Sequence, residues 1–532
     1  MNAALANRLW LFASRKAARD FETASHHVEE TQAHILQKYL AKNHNTEYVN
    51  RSIGTQGSSA CHLPLTTYDD YIPYIERIAD GEKNVLTRDP VQLFELSSGS
   101  TSASKMIPYT RTLKREFGFA LSAWITDLYT HHPDLMTGPA YWSISPLTDG
   151  RRRTSAGIPI GFEDDSEYLG PLGWLIESAL AVPNTVKQIR DMAAFRYVTL
   201  LFLLNCKDLR LISVWNPTFF TLLLAPLPQW WDSLLRDLAG GTLTSPAGID
   251  NRLLHSLAGK LAPNSERARE LSSVKPHDYA SIWKHLRLIS CWADGASEIY
   301  ARELQDGFPG VVIQPKGLLA TEAFVSFPLI GKTGGALAVT SHYFEFQNED
   351  GDIFPAHQLE RGEAYSVIVT TGGGLYRYEL RDVVEVTDFY NEVPCFKFIG
   401  KADKVSDYFG EKLNERFVAD VLERLFKRHQ FFPNFFLLAP DDEGGFRYTL
   451  YIEVSRLPDG FAAELDASLR ENFHYDYCRK LGQLAEARAV LVNDGAGAYV
   501  RVCQQMGLRM GDIKASALQK TTGWGARFQV RQ

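Results

Sequence analysis

The chain has 532 residues, 45% hydrophobic and 22% charged, more than one hydrophobic core organises, so a large composite domain plus at least one smaller one is expected. Its net charge of −7 and pI near 6.1 supply no positive field for a phosphate backbone or an anionic bilayer, which excludes nucleic acid and membranes as first-choice partners. Six cysteines without a C-x-x-C pair fit neither a zinc site nor a disulfide framework, and point to a reducing, cytoplasmic setting.

Residues 1 to about 45 are predicted helical, with Leu9, Leu11, Phe12, Ala17 and Phe21 at spacings compatible with one face. The run from Leu9 to Ala13 is too short for a signal-peptide core, and the apolar stretches 198–206 and 219–227 are too short for a bilayer span. From 90 to 180, strand-like pieces at 91–96 and 141–144 alternate with helical ones at 112–130 and 171–182, the pattern of α/β packing. Residues 183–305 read as mainly helical, their Trp and Leu spaced as core.

The grain changes after 305. Short β-branched or aromatic runs at 311–314, 336–339, 343–347, 365–370, 383–387 and 396–399, separated by Gly, Asp and Asn, read as a strand-rich region. A polar, Gly-bounded stretch near 400 then precedes an amphipathic helix carrying Leu413, Phe417, Val421, Leu422 and Leu425, and the domain boundary is placed there. The remainder reads as a small α+β unit: strands 433–440 and 446–454 around a DDEGG turn, a helix at 459–472, a strand at 487–492 and a helix at 496–506. No internal repeat is read along the chain.

Three segments carry possible chemistry. In FELSSGSTSASKMIPYT (94–110), backbone N–H groups of a Gly-containing turn, hydroxyls and a Lys can converge on phosphate, although a flexible Ser-rich connection has the same composition. In TTGGGLYRYELRDVVEV (370–386), three glycines permit positive φ or close backbone approach, and Asp382 before the next strand can accept ribose hydroxyls or be a surface residue of a hairpin. In GKADKVSDYFGEKLNE (400–415), Lys401, Lys404 and Lys412 cluster at a hinge, either as solvated linker charges or as cations that engage a ligand on closure. The basic run Arg151–Arg153 reads as a solvated turn.

In this order, SSGSTSASKMIPYT (97–110), GLLATEAFVSFP (317–328), HYFEF (342–346), GLYRYELRDVVEV (374–386) and FIGKADKVSDYFGEKLNE (398–415) resemble the Gretchen Hagen three family of acyl-acid amido synthetases, among the adenylate-forming enzymes. The resemblance implies an α/β fold: a large N-terminal adenylate-forming domain (1–400) of helix-covered β-sheets with a β-barrel-like region, and a small mobile α+β C-terminal domain (401–532). It implies ATP and Mg²⁺, a carboxylic acid that becomes an acyl-adenylate, and an amine, an amino acid in this family, that displaces AMP to give an amide. A monomer is expected.

By the same resemblance Ser97, Ser98, Gly99, Ser100, Thr101 and Lys105 hold phosphates. Thr321 and Glu322 form the adenine and metal side, with Glu322 on Mg²⁺. Tyr343 and Phe344 flank the nucleotide or acyl group, Asp382 takes the ribose, and Lys401 and Lys412 belong to the mobile-domain motif. The sequence departs from the family where Arg381 stands at the usual Gly before Asp382, and where GDIKASALQKTTGWGARF lacks the Pro-Arg that follows the terminal catalytic Lys. Lys520 is assigned that role, with Lys514 in reserve. The acyl pocket is expected along 112–130, 157–162 and Trp215–Phe220. The alternatives are a thioester-forming acyl-CoA ligase and a catalytically silent nucleotide-binding protein.

Overall fold

Asn2 opens the chain's first helix, Ala3–Ala24, by accepting the N–H of Leu5 with its side chain, which satisfies one orphan donor of the first turn. The computed structural model describes residues 2–53, 63–97, 105–143, 152–161, 177–244, 249–402, 405–506, 508 and 513–530. The first helix ends at Ser25 and a second spans Val28–Asn43, so the N-terminal layer is a helix pair. Its buried stripe is Ala6, Trp10, Ser14 and Phe21, whereas Leu9 and Phe12 of the expected face are exposed. Trp10 decides the rotation, because its ring packs 6.1 Å from Tyr129 and 5.8 Å from Trp142 and an indole is the largest apolar side chain available to bury.

A four-stranded parallel sheet, in the order Ala140–Trp142, Leu211–Ser213, Leu288–Cys291, Val312–Pro315, forms one structural layer. The sequence reading missed the two central strands inside its helical stretch. Each is three or four residues long and buried, and a short apolar run buried on both faces lacks the alternation that distinguishes strand from helix. Leu211 and Leu288 face the core shared with the helix Arg111–His131, while Ile212 and Ile289 face a second core formed with the helices Met192–Asn205, Pro217–Leu224 and Leu227–Gly240.

The two central strands are a repeat, contrary to the sequence reading: LRLISVW (209–215) and LRLISCW (286–292) lie side by side in register, Leu211 against Leu288, Ile212 against Ile289 and Ser213 against Ser290.

The strand-rich region forms a seven-stranded sheet whose central members are Ala364–Thr370, Tyr378–Tyr390 and Val393–Lys401. Period-two alternation in Tyr343–Gln347 buries Phe344 and Phe346 and leaves Tyr343, Glu345 and Gln347 half-buried on the other face. Beyond 405 the chain builds its own sheet from Phe435–Asp441, Arg447–Glu453, Arg488–Asn493 and Gln529–Val530, covered by the helices Glu415–His429, Phe461–Leu469, Phe473–Lys480 and Gly495–Gln505. Among the described residues no helix is long and apolar enough to cross a membrane, and all five described cysteines are free thiols.

The GGG of 372–374 works as packing. A Cβ on Gly372 would stand 2.4 Å from Glu116 Oε1, and one on Gly374, at φ +96°, 2.8 Å from Leu86 Cβ. Buried Glu116 accepts the Gly372 N–H at 3.0 Å and the Tyr39 hydroxyl at 2.7 Å, and lies 3.1 Å from His342 Nδ1. His342 Nε2 accepts the Phe324 N–H at 3.1 Å, so the proton sits on Nδ1 and is donated to Glu116. This network ties the helix Arg111–His131, the three glycines and the loop bearing Glu322 into one rigid block.

Candidate active site

The antiparallel strands Val91–Ser97 and Lys105–Thr110 pair Ser97 with Lys105, so the Ser-rich segment connects a hairpin. Ser98, Gly99, Ser100 and Thr101 lie outside the described residues. At the hairpin's end Lys105 Nζ lies 3.3 Å from the Tyr378 hydroxyl and 5.5 Å from the centre of the Tyr68 ring. Tyr378 in turn donates to Glu322 Oε1 at 3.4 Å. The Tyr109 hydroxyl donates to the Thr321 carbonyl at 2.5 Å, fixing the loop that carries both residues.

Glu322 is buried, 8% exposed, and burial raises its pKa, opposed by the cations Lys105 and Lys401 and reinforced by Asp382. A carboxylate desolvated between two cations suits an ion held partly by phosphates. Among the described residues no three His, Cys, Asp or Glu side chains gather into a metal cage, and Mg²⁺ bound through one carboxylate plus phosphate oxygens requires none.

Asp382 sits within the strand Tyr378–Tyr390, opposite Lys401, and their side chains form an ion pair at 3.1 Å. The register with Ala364–Thr370 jumps between Ser366 and Ile368, which face Val383 and Glu379. Arg381 occupies the resulting bulge at φ +60°, the left-handed region that glycine enters without penalty. The backbone needs positive φ there and a non-glycine residue supplies it. Bulges re-aim side chains, and this one leaves Asp382 5% exposed beside Glu322 and Lys401.

Tyr343 lies on the half-buried face of its strand. Phe344 is fully buried, edge-on to His342 at 5.8 Å and 6.5 Å from Phe346; it supports the strand from the core side. Lys412 is exposed, at φ +45°. The residue before it anchors the motif: Glu411 is 0% exposed and accepts the N–H groups of Tyr408 and Phe409 and the hydroxyl of Tyr448. Lys520 is half-buried, its carbonyl taking the Tyr408 hydroxyl at 2.7 Å. Lys514 reaches across to the sheets of the N-terminal part, its Nζ 4.3 Å from the centre of the Trp292 ring. Nearby, Asn216 Nδ2 donates to the Ile513 carbonyl at 3.0 Å and Tyr300 stacks on Phe436 at 6.1 Å.

A second polar group lies at the carboxyl ends of the parallel strands, the usual ligand edge of such sheets. Lys316 Nζ donates to Ser213 Oγ at 2.6 Å and stands 5.4 Å from the Trp124 ring centre and 5.7 Å from that of Trp215. Trp124 Nε1 donates to Gln314 at 3.1 Å. In the expected acyl region, Trp215 is 41% exposed at this edge, whereas Phe219 and Phe220 are core, Phe220 stacking on Phe308. The sequence reading missed Lys316. The repeated LRLIS-x-W marks two Trp positions whose rings each carry a lysine, Lys316 on Trp215 and Lys514 on Trp292, but it does not mark the lysines themselves.

Family models match the chain in three consecutive pieces: the GH3 family N-terminal domain over 17–313, the central domain over 335–401 and the C-terminal domain over 417–522. Among curated proteins, the indole-3-acetic acid-amido synthetase GH3.2 of Arabidopsis thaliana is 24% identical over 484 residues, covering 83% of this chain and 85% of that one. Among solved structures, the AtGH3.15 acyl acid amido synthetase in complex with 2,4-DB superposes with TM-score 0.86 at 21% identity, covering 98% of this chain and 97% of that one. A 2-hydroxyisobutyryl-CoA ligase in the postadenylation state, with 2-HIB-AMP, shares the architecture at TM-score 0.50 and 9% identity over 90% of this chain and 91% of that one. The fold is thus the mixed α/β fold of the adenylate-forming enzymes, and the chain belongs to the GH3 family.

Proposed function

We propose that this protein is an ATP-dependent acyl-acid amido synthetase: it adenylates a carboxylic acid, releasing pyrophosphate, and transfers the acyl group to the amine of an amino acid, releasing AMP. The supporting observation is that residues from separate sequence motifs, Lys105, Glu322, Tyr378, Asp382 and Lys401, meet in one patch. Each has a role there. Ser97 and Lys105 bracket the phosphate loop of residues 98–101, and Lys105 places positive charge where charge moves to the leaving pyrophosphate. Glu322 would hold Mg²⁺, which supplies charge to the phosphates when bound, and Thr321 lies on the adenine side. Asp382 accepts ribose hydroxyls, and Lys401 holds it in place. Tyr343 flanks the nucleotide.

We read residues 1–400 as the adenylating domain and 401–532 as a domain that moves during the cycle, with Lys412 engaging the ligand after rotation. Of the two terminal lysines, Lys514 is the one in contact with the large domain in this conformation, which favours it over Lys520 as the adenylation cation. Lys514→Ala is then expected to cost at least about 100-fold in acid-dependent exchange of pyrophosphate into ATP, yet to convert supplied acyl-adenylate to amide at the wild-type rate. The same pattern in Lys520→Ala would reverse the assignment, and loss of both steps would make either residue structural. The function itself is tested by that exchange in the wild type. Silence across aryl, indolyl and aliphatic acids would sink it, and a thioester formed with coenzyme A in preference to an amide would move it to the ligases.

A further inference from the structure

Lys316 combines features that a structural lysine does not need. Lys316 is half-buried, its ammonium drawn in among Trp124, Trp215 and Ser213; desolvation pushes it down to about 8, opposed by the facing Cys291 thiol. No carboxylate pairs with it among the described residues, although a desolvated cation costs several kcal/mol unless something compensates it. Among the described residues, the ammonium's hydrogen bond goes to a neutral hydroxyl. Beside it, Ser290 is 0% exposed and its Oγ has no hydrogen-bond partner among the described residues; the same is true of the buried Nε1 of Trp142. Register puts these groups on one face. Trp142 pairs with Ser213, and Ser213 with Ser290, so the three lie across the carboxyl edge of the sheet on the side that Trp124 covers, its ring 6.0 Å from Trp142.

An ammonium, a hydroxyl and an indole N–H are three donors, and a carboxylate is the acceptor they match. The indole rings around them are walls for a flat apolar body. Among the described residues, the partners of Lys316 (Ser213, Trp124, Trp215 and Cys291) share no member with the Glu322 patch, so the two groups can hold two different anions.

We propose that Lys316, with Ser290 and Trp142, binds the far end of the acyl substrate, and that this chain's acid is an aryl dicarboxylate: one carboxyl is activated and the other is held at the edge of the parallel sheet. This rests on the amido-synthetase reading for the activated end only, and two readouts keep the two apart.

Equilibrium binding, followed by quenching of the tryptophan fluorescence, is compared for terephthalate and benzoate. Wild type is expected to prefer terephthalate by at least about tenfold, the worth of one charge-assisted hydrogen-bonded pair. Lys316→Met, which keeps the apolar stem, should erase that preference while leaving benzoate within about twofold, and Ser290→Ala should reduce it about threefold. Affinity for terephthalate should also weaken as pH rises above about 8, where the free ammonium loses its proton. Equal weakening of both acids in Lys316→Met would mean that Lys316 grips the reacting carboxylate, and overturns the proposal; so do a wild-type preference for benzoate and failure of terephthalate to bind. Lys316-dependent binding of terephthalate without pyrophosphate exchange would leave the subsite standing and remove the synthetase reading instead.

Discussion

The two polar groups of this protein handle charge in opposite ways. At the seven-stranded sheet, Glu322, Lys105, Tyr378, Asp382 and Lys401 meet one another, donor against acceptor and cation against anion. At the parallel sheet, Lys316 has aromatic rings and a hydroxyl around it and no carboxylate among the described residues. The first arrangement is stable as it stands, and a ligand must compete with its internal pairs. The second carries an unrelieved cost that a ligand can relieve. A site that must bind and release a nucleotide common to many enzymes suits the former, and a site that must choose among acids suits the latter, because an unsatisfied buried donor discriminates strongly against a partner lacking the acceptor.

The largest expected effect breaks the first group alone. Asp382→Ala removes the carboxylate assigned to the ribose and leaves Lys401 without its 3.1 Å partner. kcat/KM for ATP in the exchange reaction should fall about 100-fold, near 3 kcal/mol for a charged hydrogen-bonding group. Binding of an acid to the free enzyme, read by tryptophan fluorescence, should stay within about twofold. If acid binding fell together with ATP, the two groups would be one coupled site and the contrast between them would be lost.

How legible these groups were in the sequence follows from the same contrast. The charged patch was largely readable, because Lys105, Glu322, Asp382 and Lys401 lie in motifs whose order along the chain is distinctive. The strand 343–347 was readable because alternation shows when one face is buried, and 365–370 because it is β-branched and aromatic and ends at glycines. Lys316 was not, because its environment is assembled from strand ends more than a hundred residues apart, Ser213 lying 103 positions away, and because the two central strands are too short and too uniformly apolar to register as strands. The packing role of Gly372 and the pairing of His342 with Glu116 were hidden for the same reason: the partners are long-range. The positive φ of Arg381 was legible only as a question, since one residue's side chain says nothing of the backbone it is forced to adopt.

The smallest expected effect sharpens the comparison through stability. Lys401→Met removes a paired cation and leaves Asp382, whose side chain is 7% exposed, with less compensation; because Lys401 is 40% exposed, solvent screens the pair and the loss is about 1 kcal/mol. Lys316→Met removes an uncompensated cation and should instead gain about 1 kcal/mol at pH 7. The sign of its pH dependence follows from linkage. Burial lowers the ammonium from 10.5 to about 8 in the folded protein, so between those values the unfolded chain binds more protons and wild-type stability rises with pH. The penalty is fully present below about 8 and is relieved as pH approaches 10.5. Urea unfolding of wild type and both variants at pH 7 and pH 10 therefore gives two curves of different shape. The Lys316→Met advantage should shrink over that interval, whereas the titration of Lys316 leaves the Lys401→Met deficit unchanged. A loss of stability in Lys316→Met at pH 7 would mean that Lys316 is compensated within the fold, and the two groups would then be built alike.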